Sequence, residues 1–211
     1  MKSVPVNKKG IQEAIAILKK GGVVAYPADT CFGLAADMRN SEALNKIIGI
    51  KGRSDLKPMS VMFGRFKELE GYIQYDDELN RIVLENLFPG PYTIVLPKGP
   101  KVPVFYFRET NCLGVRIPNH ALSLELIEGV KGPLITTSAN RSGQPLTFST
   151  DEVIKGLKNN EFLPDLIFEG EIRNQGGAST VLQIKDGKAI LIREGIVKKT
   201  ELERRLGLQI V

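Results

Sequence analysis

The sequence predicts an α/β fold: a twisted sheet of mixed parallel and antiparallel strands with helices packed around it. Two patterns predict it. Short apolar, β-branched runs alternate with helical-period segments along the early chain, the signature of crossover connections. A turn-linked strand pair then follows near the end, which brings antiparallel pairing into the sheet. No linker divides the 211 residues, so residues 1–211 are read as one domain.

Ile11, Ala14, Ile15 and Leu18 recur at helical spacing and stop at Gly21-Gly22. Residues 23–26 read as a buried strand that runs into a loop spanning Pro27 to Leu34. Leu44, Ile47 and Ile48 mark a second helix, ending near Gly49 to Gly52, and residues 59–63 form the next strand. Leu79, Ile82, Val83 and Leu87 give a helix closed by Pro89-Gly90. Residues 92–96 and 113–117 are strands rich in β-branched and aromatic residues, and 121–128 a helix.

The run 133–137 is a short buried strand that opens directly into Ser138-Ala139-Asn140. Ser149 followed three residues later by Glu152 fits a capping box. Strands at 166–168, 180–184 and 189–192 follow, the last two joined by a turn at Asp186-Gly187. Leu202 and Leu206 close the chain with a short helix.

Composition removes several function classes. His120 is the only histidine, so a multi-histidine metal site is impossible and a Ser-His-Asp triad would have to use this residue. Its place after Pro118-Asn119 at a helix start reads as a cap or surface position. Cys31 and Cys112 are the only cysteines, which argues against a disulfide framework and a cysteine-rich zinc site. Neither a P-loop nor a dinucleotide-binding glycine fingerprint occurs. Charged residues break the first 22 positions, and no later run is long enough for a membrane span, so the chain reads as cytosolic. A net charge of +5 suits an anionic partner such as a nucleotide or RNA, as it also suits ordinary solvated faces.

Two segments carry the chemistry. Lys51-Gly52-Arg53 and Lys57-Pro58 gather three cations between a helix and a strand, a phosphate-binding loop or a solvated basic one. Residues 133–143 bring an apolar strand to an abrupt end in hydroxyls, an amide and a glycine, a place where ligands bind in α/β folds. Gly114 to Pro118, Ser179 to Val181 and Arg193 to Gly195 likewise set an Arg or paired hydroxyls at strand ends.

In order along the chain these segments resemble the YrdC/Sua5-like family in its short, single-domain form. The matching stretches are Pro27 to Leu34, Lys51 to Pro58, Pro89 to Thr93, Gly114 to Pro118, Ser138 to Asn140, Ser179 to Val181 and Arg193 to Gly195. The resemblance implies a concave basic surface. It implies an enzyme that condenses ATP, L-threonine and bicarbonate into threonylcarbamoyl-adenylate and pyrophosphate, which a separate tRNA-modifying transferase complex uses beside the anticodon. Magnesium would accompany the ATP, held by no protein-built cage.

By the same resemblance Lys51 and Arg53 are the catalytic pair. Lys57, Ser138, Asn140, Ser179 and Arg193 hold the ATP phosphates, and Thr30 with Arg116 holds threonine. Two departures stand out: Ala28 replaces a usual Thr, and Phe32 a usual Tyr. Each deletes a hydroxyl, which puts amino-acid specificity in question. A non-catalytic paralogue that binds RNA directly, and an adenylate-forming enzyme with another acceptor, are the alternatives.

Overall fold

A computed structural model describes residues 1–52, 59–75, 78–106, 111–172 and 177–211. Arg53 and Lys57 therefore lie outside the described residues. Ten strands form one sheet: β1 (Lys2–Val4), β2 (Val24–Pro27), β3 (Phe32–Asp37), β4 (Ser60–Met62), β5 (Tyr92–Pro97), β6 (Cys112–Arg116), β7 (Leu134–Ser138), β8 (Leu166–Phe168), β9 (Thr180–Lys185) and β10 (Lys188–Arg193). The helices are α1 (Lys8–Lys19), α2 (Ser41–Lys51), α3 (Glu78–Leu87), α4 (Ala121–Val130), α5 (Thr150–Leu157) and α6 (Lys199–Leu206).

The strand order is β1-β8-β2-β3-β7-β4-β6-β5-β9-β10. Pairings β1–β8, β2–β8, β4–β6 and β5–β9 are parallel, and the others antiparallel, so the sheet is mixed as expected. Two strands were not foreseen. β1 has three residues, too few for a period to register. β3 takes the last three residues of the stretch read as a loop: Pro27 ends β2, the turn is only 28–31, and Phe32 already pairs with Pro27. Its Phe-Gly-Leu-Ala-Ala-Asp sequence is buried on both faces and lacks polar alternation, which hides it from a period-two reading.

Strand alternation decides what each face meets. Val23 and Ala25, Phe32, Leu34 and Ala36, Leu113 and Val115, and Leu182 and Ile184 all point to one side. There α2, α3, α5 and α6 cover them with residues such as Ile47, Leu84, Val153 and Leu202. The opposite face is half covered. α1 and α4 seal it over β8, β2 and β3, packing Leu18 and Leu126 against Val24, Tyr26 and Phe168.

Local chemistry fixes the helix ends. The side chains of Asn7, Asn40 and Ser149 accept from the third backbone N–H beyond them, at Gly10, Ala43 and Glu152. The Glu152 carboxylate reaches back one residue further than a standard box, to the Phe148 N–H. His120 is the N-cap of α4, its Nδ1 accepting from Ser123 N–H, so the cap reading describes it. Asp186 and Gly187 both have positive φ, 51° and 69°, which matches the right-handed twist of the β9–β10 hairpin.

Candidate active site

Across β4, β6, β5, β9 and β10 a cleft of about 730 Å3 opens on the second face, uncovered by a helix among the described residues. Its floor is made of the alternate residues to those in the core: Ser60, Thr93, Gly114, Val181 and their neighbours. Small and hydroxylic residues at these positions leave room above the sheet. Thr30, Arg116, Ser138, Ser179 and Arg193 all line it, so five of the expected residues converge on one cavity.

Arg193 reaches the cleft through an irregularity. Leu191 pairs with Leu182, but Arg193 rather than Ile192 pairs with Val181. The extra residue is a β-bulge. In a regular ladder Arg193 would face Thr180, a fully buried position on the core side. The bulge turns it onto the Val181 side instead. Its guanidinium donates to Ser179 O from Nη2 (2.8 Å) and Nε (3.2 Å), and to Ser179 Oγ from Nη2 (3.1 Å). Partial desolvation lowers the pKa of this guanidinium, with Cys31 opposing the shift and Arg116 adding to it.

Thr180 completes the same corner. Its hydroxyl accepts from Gly195 N–H and Val197 N–H and donates to Val197 O. Gly195 packs so closely that a Cβ there would lie 2.2 Å from Ala178 O. Ser-Thr-Val and Arg-Glu-Gly are thus two halves of one structure, in which Ser179 fixes Arg193 and Thr180 fixes the chain after it.

Arg116 ends β6 and is 7% exposed. Its Nη2 donates to both Asp29 oxygens, at 2.8 and 2.9 Å. Its Nε is buried and has no hydrogen-bond partner among the described residues. Buried donors are satisfied in the great majority of native sites, so this one marks a position for an acceptor. His120 lies near both members of the pair; burial lowers its pKa, Asp29 raises it and Arg116 lowers it. Burial likewise raises the Cys31 thiol, which lines the cleft beside Thr30.

Lys51 and Asn140 stand behind the cleft wall. Lys51, the last residue of α2, is 2% exposed. Its Nζ donates to Ser138 O (2.7 Å), Asn140 Oδ1 (2.7 Å) and Ser138 Oγ (3.3 Å). Its charge also sits at the negative end of the α2 dipole. The Asn140 amide donates to Gln144 O and Pro145 O and accepts from Lys51 and Ser138, so all its hydrogen-bonding capacity is used within the protein. Both residues connect to the cleft through Ser138.

Of the two departures, Ala28 lines the cleft, whereas Phe32 is fully buried in the core on the opposite face. Asp29 was expected only as a polar contact beside Thr30, and Ser60 and the two cysteines were not among the expected site residues. The alternation of β4 and β6, set by Val61, Leu113 and Val115 in the core, is the signal that would have placed Ser60 and Cys112 on the cleft side. Among the described residues no group of three His, Cys, Asp or Glu side chains is arranged to hold a metal ion. No helix among them is long and apolar enough to cross a membrane.

Comparison with known proteins agrees with this fold. Residues 16–195 match the Sua5_yciO_yrdC family model, whose description reads "Telomere recombination". The mouse threonylcarbamoyl-AMP synthase is 40% identical over 144 residues, 68% of this chain and 51% of that protein. The chain thus spans about half the length of this curated relative. The crystal structure of Pyrococcus abyssi Sua5 complexed with L-threonine superposes with a TM-score of 0.87 at 28% identity, covering 100% of this chain and 61% of that one. Escherichia coli YciO superposes with a TM-score of 0.81 at 26% identity, covering 95% and 97%. The chain belongs to the Sua5/YciO/YrdC family.

Proposed function

We propose that the protein is an L-threonylcarbamoyladenylate synthase, a nucleotidyltransferase that joins ATP, L-threonine and bicarbonate and releases pyrophosphate. One observation carries the reading. Two arginines, Arg116, buried and with no partner for its Nε among the described residues, and Arg193, exposed and held by Ser179, face one cleft floored by hydroxyls. That is a setting for two anionic groups held side by side. The relatives' names and the threonine bound to Sua5 support the choice of substrates.

In this reaction the threonine amine attacks bicarbonate carbon, water departs, and a carbamate oxygen attacks the α-phosphorus. The substrates supply both nucleophiles, so the protein's work is to position them and to stabilise charge. Arg193 and Ser179 would hold the α-phosphate region, and Arg116 with Thr30 the threonine. Lys51 and Asn140 would act by fixing Ser138, and Arg53 and Lys57 would bring further cations to the phosphates and bicarbonate. Magnesium would arrive on the ATP phosphates, where it offsets their charge. The product would pass, in the cytoplasm, to a transferase complex that modifies adenosine beside the tRNA anticodon. Direct binding of RNA by this chain is a separate, subsidiary proposal.

A second reading keeps the chemistry and changes the amino acid, because Ala28 lines the cleft. Pyrophosphate release from ATP, magnesium and bicarbonate, measured with each amino acid in turn, separates the two. Release with L-threonine alone supports the first, and release with a different amino acid supports the second. Ala28→Thr is expected to lower the KM for threonine by roughly two- to tenfold, the worth of one net hydrogen bond.

A further inference from the structure

Pro89 to Thr93 joined the family resemblance with no role of its own. In the fold the Thr93 hydroxyl is the middle member of a chain of three: Oγ1 lies 3.2 Å from Ser60 Oγ and 3.3 Å from Ser179 Oγ. Ser60 is on β4 and Thr93 on β5, with β6 between them. They meet because β6 carries Gly114 at that level, where a Cβ would sit 3.1 Å from Thr93 Cγ2. At the other end Arg193 Nη2 donates to Ser179 Oγ.

Three hydroxyls own three protons, and the two contacts between them use two. A guanidinium only donates, so it supplies Ser179 and takes nothing back. The remaining proton has three places to be. On Thr93, which is 3% exposed, it would be buried and unpaired, the costly arrangement. The other two leave it free at Ser179 or free at Ser60, and they interconvert by rotating all three hydroxyls. An anion at Arg193 and Ser179 draws the proton there. Ser60 Oγ then donates to Thr93 and turns only lone pairs to the cleft.

We infer that Thr93 is a positioning residue that couples the two ends of the cleft. An anionic group bound at Ser179 and Arg193 favours a hydrogen-bond-donating group, an ammonium or hydroxyl, at Ser60, and the reverse holds by linkage. This rests on the proposed function, under which the groups belong to the nucleotide phosphate and the amino acid.

The test is calorimetric titration of ATP with and without saturating L-threonine, and of threonine with and without ATP, in the absence of bicarbonate. In the wild type each ligand should tighten the other by the same factor, roughly fivefold. Thr93→Val, of equal shape, should reduce that factor to about one, and Thr93→Ser should restore it. Ser60→Ala removes the far end of the chain and should abolish the coupling too, which keeps the test alive if the valine variant fails to fold. Coupling that persists in Thr93→Val or in Ser60→Ala overturns the inference, as does independent binding of both ligands by the wild type. A wild type that binds neither ligand overturns the functional reading, and this inference with it.

Discussion

Asp29 and Arg116 show how a single residue can hold the site in a loaded state. The guanidinium is taken out of water, and one carboxylate offsets its charge through one nitrogen. Removing one partner of such a pair leaves the other charged and buried, which typically destabilises by about 3–5 kcal/mol. Asp29→Ala is therefore expected to lower stability by about 3 kcal/mol in urea denaturation. Asp29→Asn, which keeps an acceptor, should lose less. Equal stability of Asp29→Ala and wild type would mean that Arg116 is solvated in solution. Lys51 presents the same physics: Lys51→Ala strips the cation from Ser138 O and Asn140 Oδ1, so any loss of turnover must be read beside a melting curve. Arg116 was visible in the sequence as a strand-end arginine, but its partner was not. Asp29 lies 87 positions away in a turn, and only the sheet brings the two together.

The decisive elements are the bulge in β10 and the cap of α4. A strict period of two sends Arg193 to the core side, and nothing in Ala-Ile-Leu-Ile-Arg announces an extra residue. Deleting Ile192 removes the extra residue, so Arg193 follows Leu191 directly, still pairs with Val181 and still faces the cleft. The expected result is retained ATP affinity in calorimetry, with a folded protein by circular dichroism. A loss of about tenfold or more would show that the local twist of the bulge, and not the pairing alone, aims the guanidinium. The α4 cap, by contrast, was legible, because a polar residue after Pro-Asn and before an apolar helix has few other uses. Burial of His120 favours its neutral form, so the unfolded chain takes up the proton more readily. Its contribution is whole above the ordinary value of 6.5 and is lost as pH falls below it. In urea melts at pH 7.5 and about 5.5, His120→Asn, which preserves a cap acceptor, should lose less stability on acidification than the wild type. An identical loss in both would assign the acid sensitivity to other groups.

At the scale of the molecule, the cleft exists because helices cover one face of the sheet throughout and the other only in part. The helical periods and most strands could be read from apolar spacing, and with them the mixed sheet. The strand order could not be, because it depends on which faces the helices bury together. Convergence of Thr30, Arg116, Ser138, Ser179 and Arg193 on one cavity follows from that order, since each lies at or just beyond a strand end. Family resemblance named these residues, but the sheet explains why they meet. It also separates Ala28, in the cleft, from Phe32, in the core, two positions that look equivalent in the sequence.

The most direct measurement is mass spectrometry of the nucleotide formed from ATP, magnesium, bicarbonate and L-threonine. The account predicts a product with the mass of threonylcarbamoyl-AMP, formed only when threonine is present and absent from an Arg193→Gln variant that remains folded. A folded wild-type protein that binds ATP and threonine but yields no such product would contradict it.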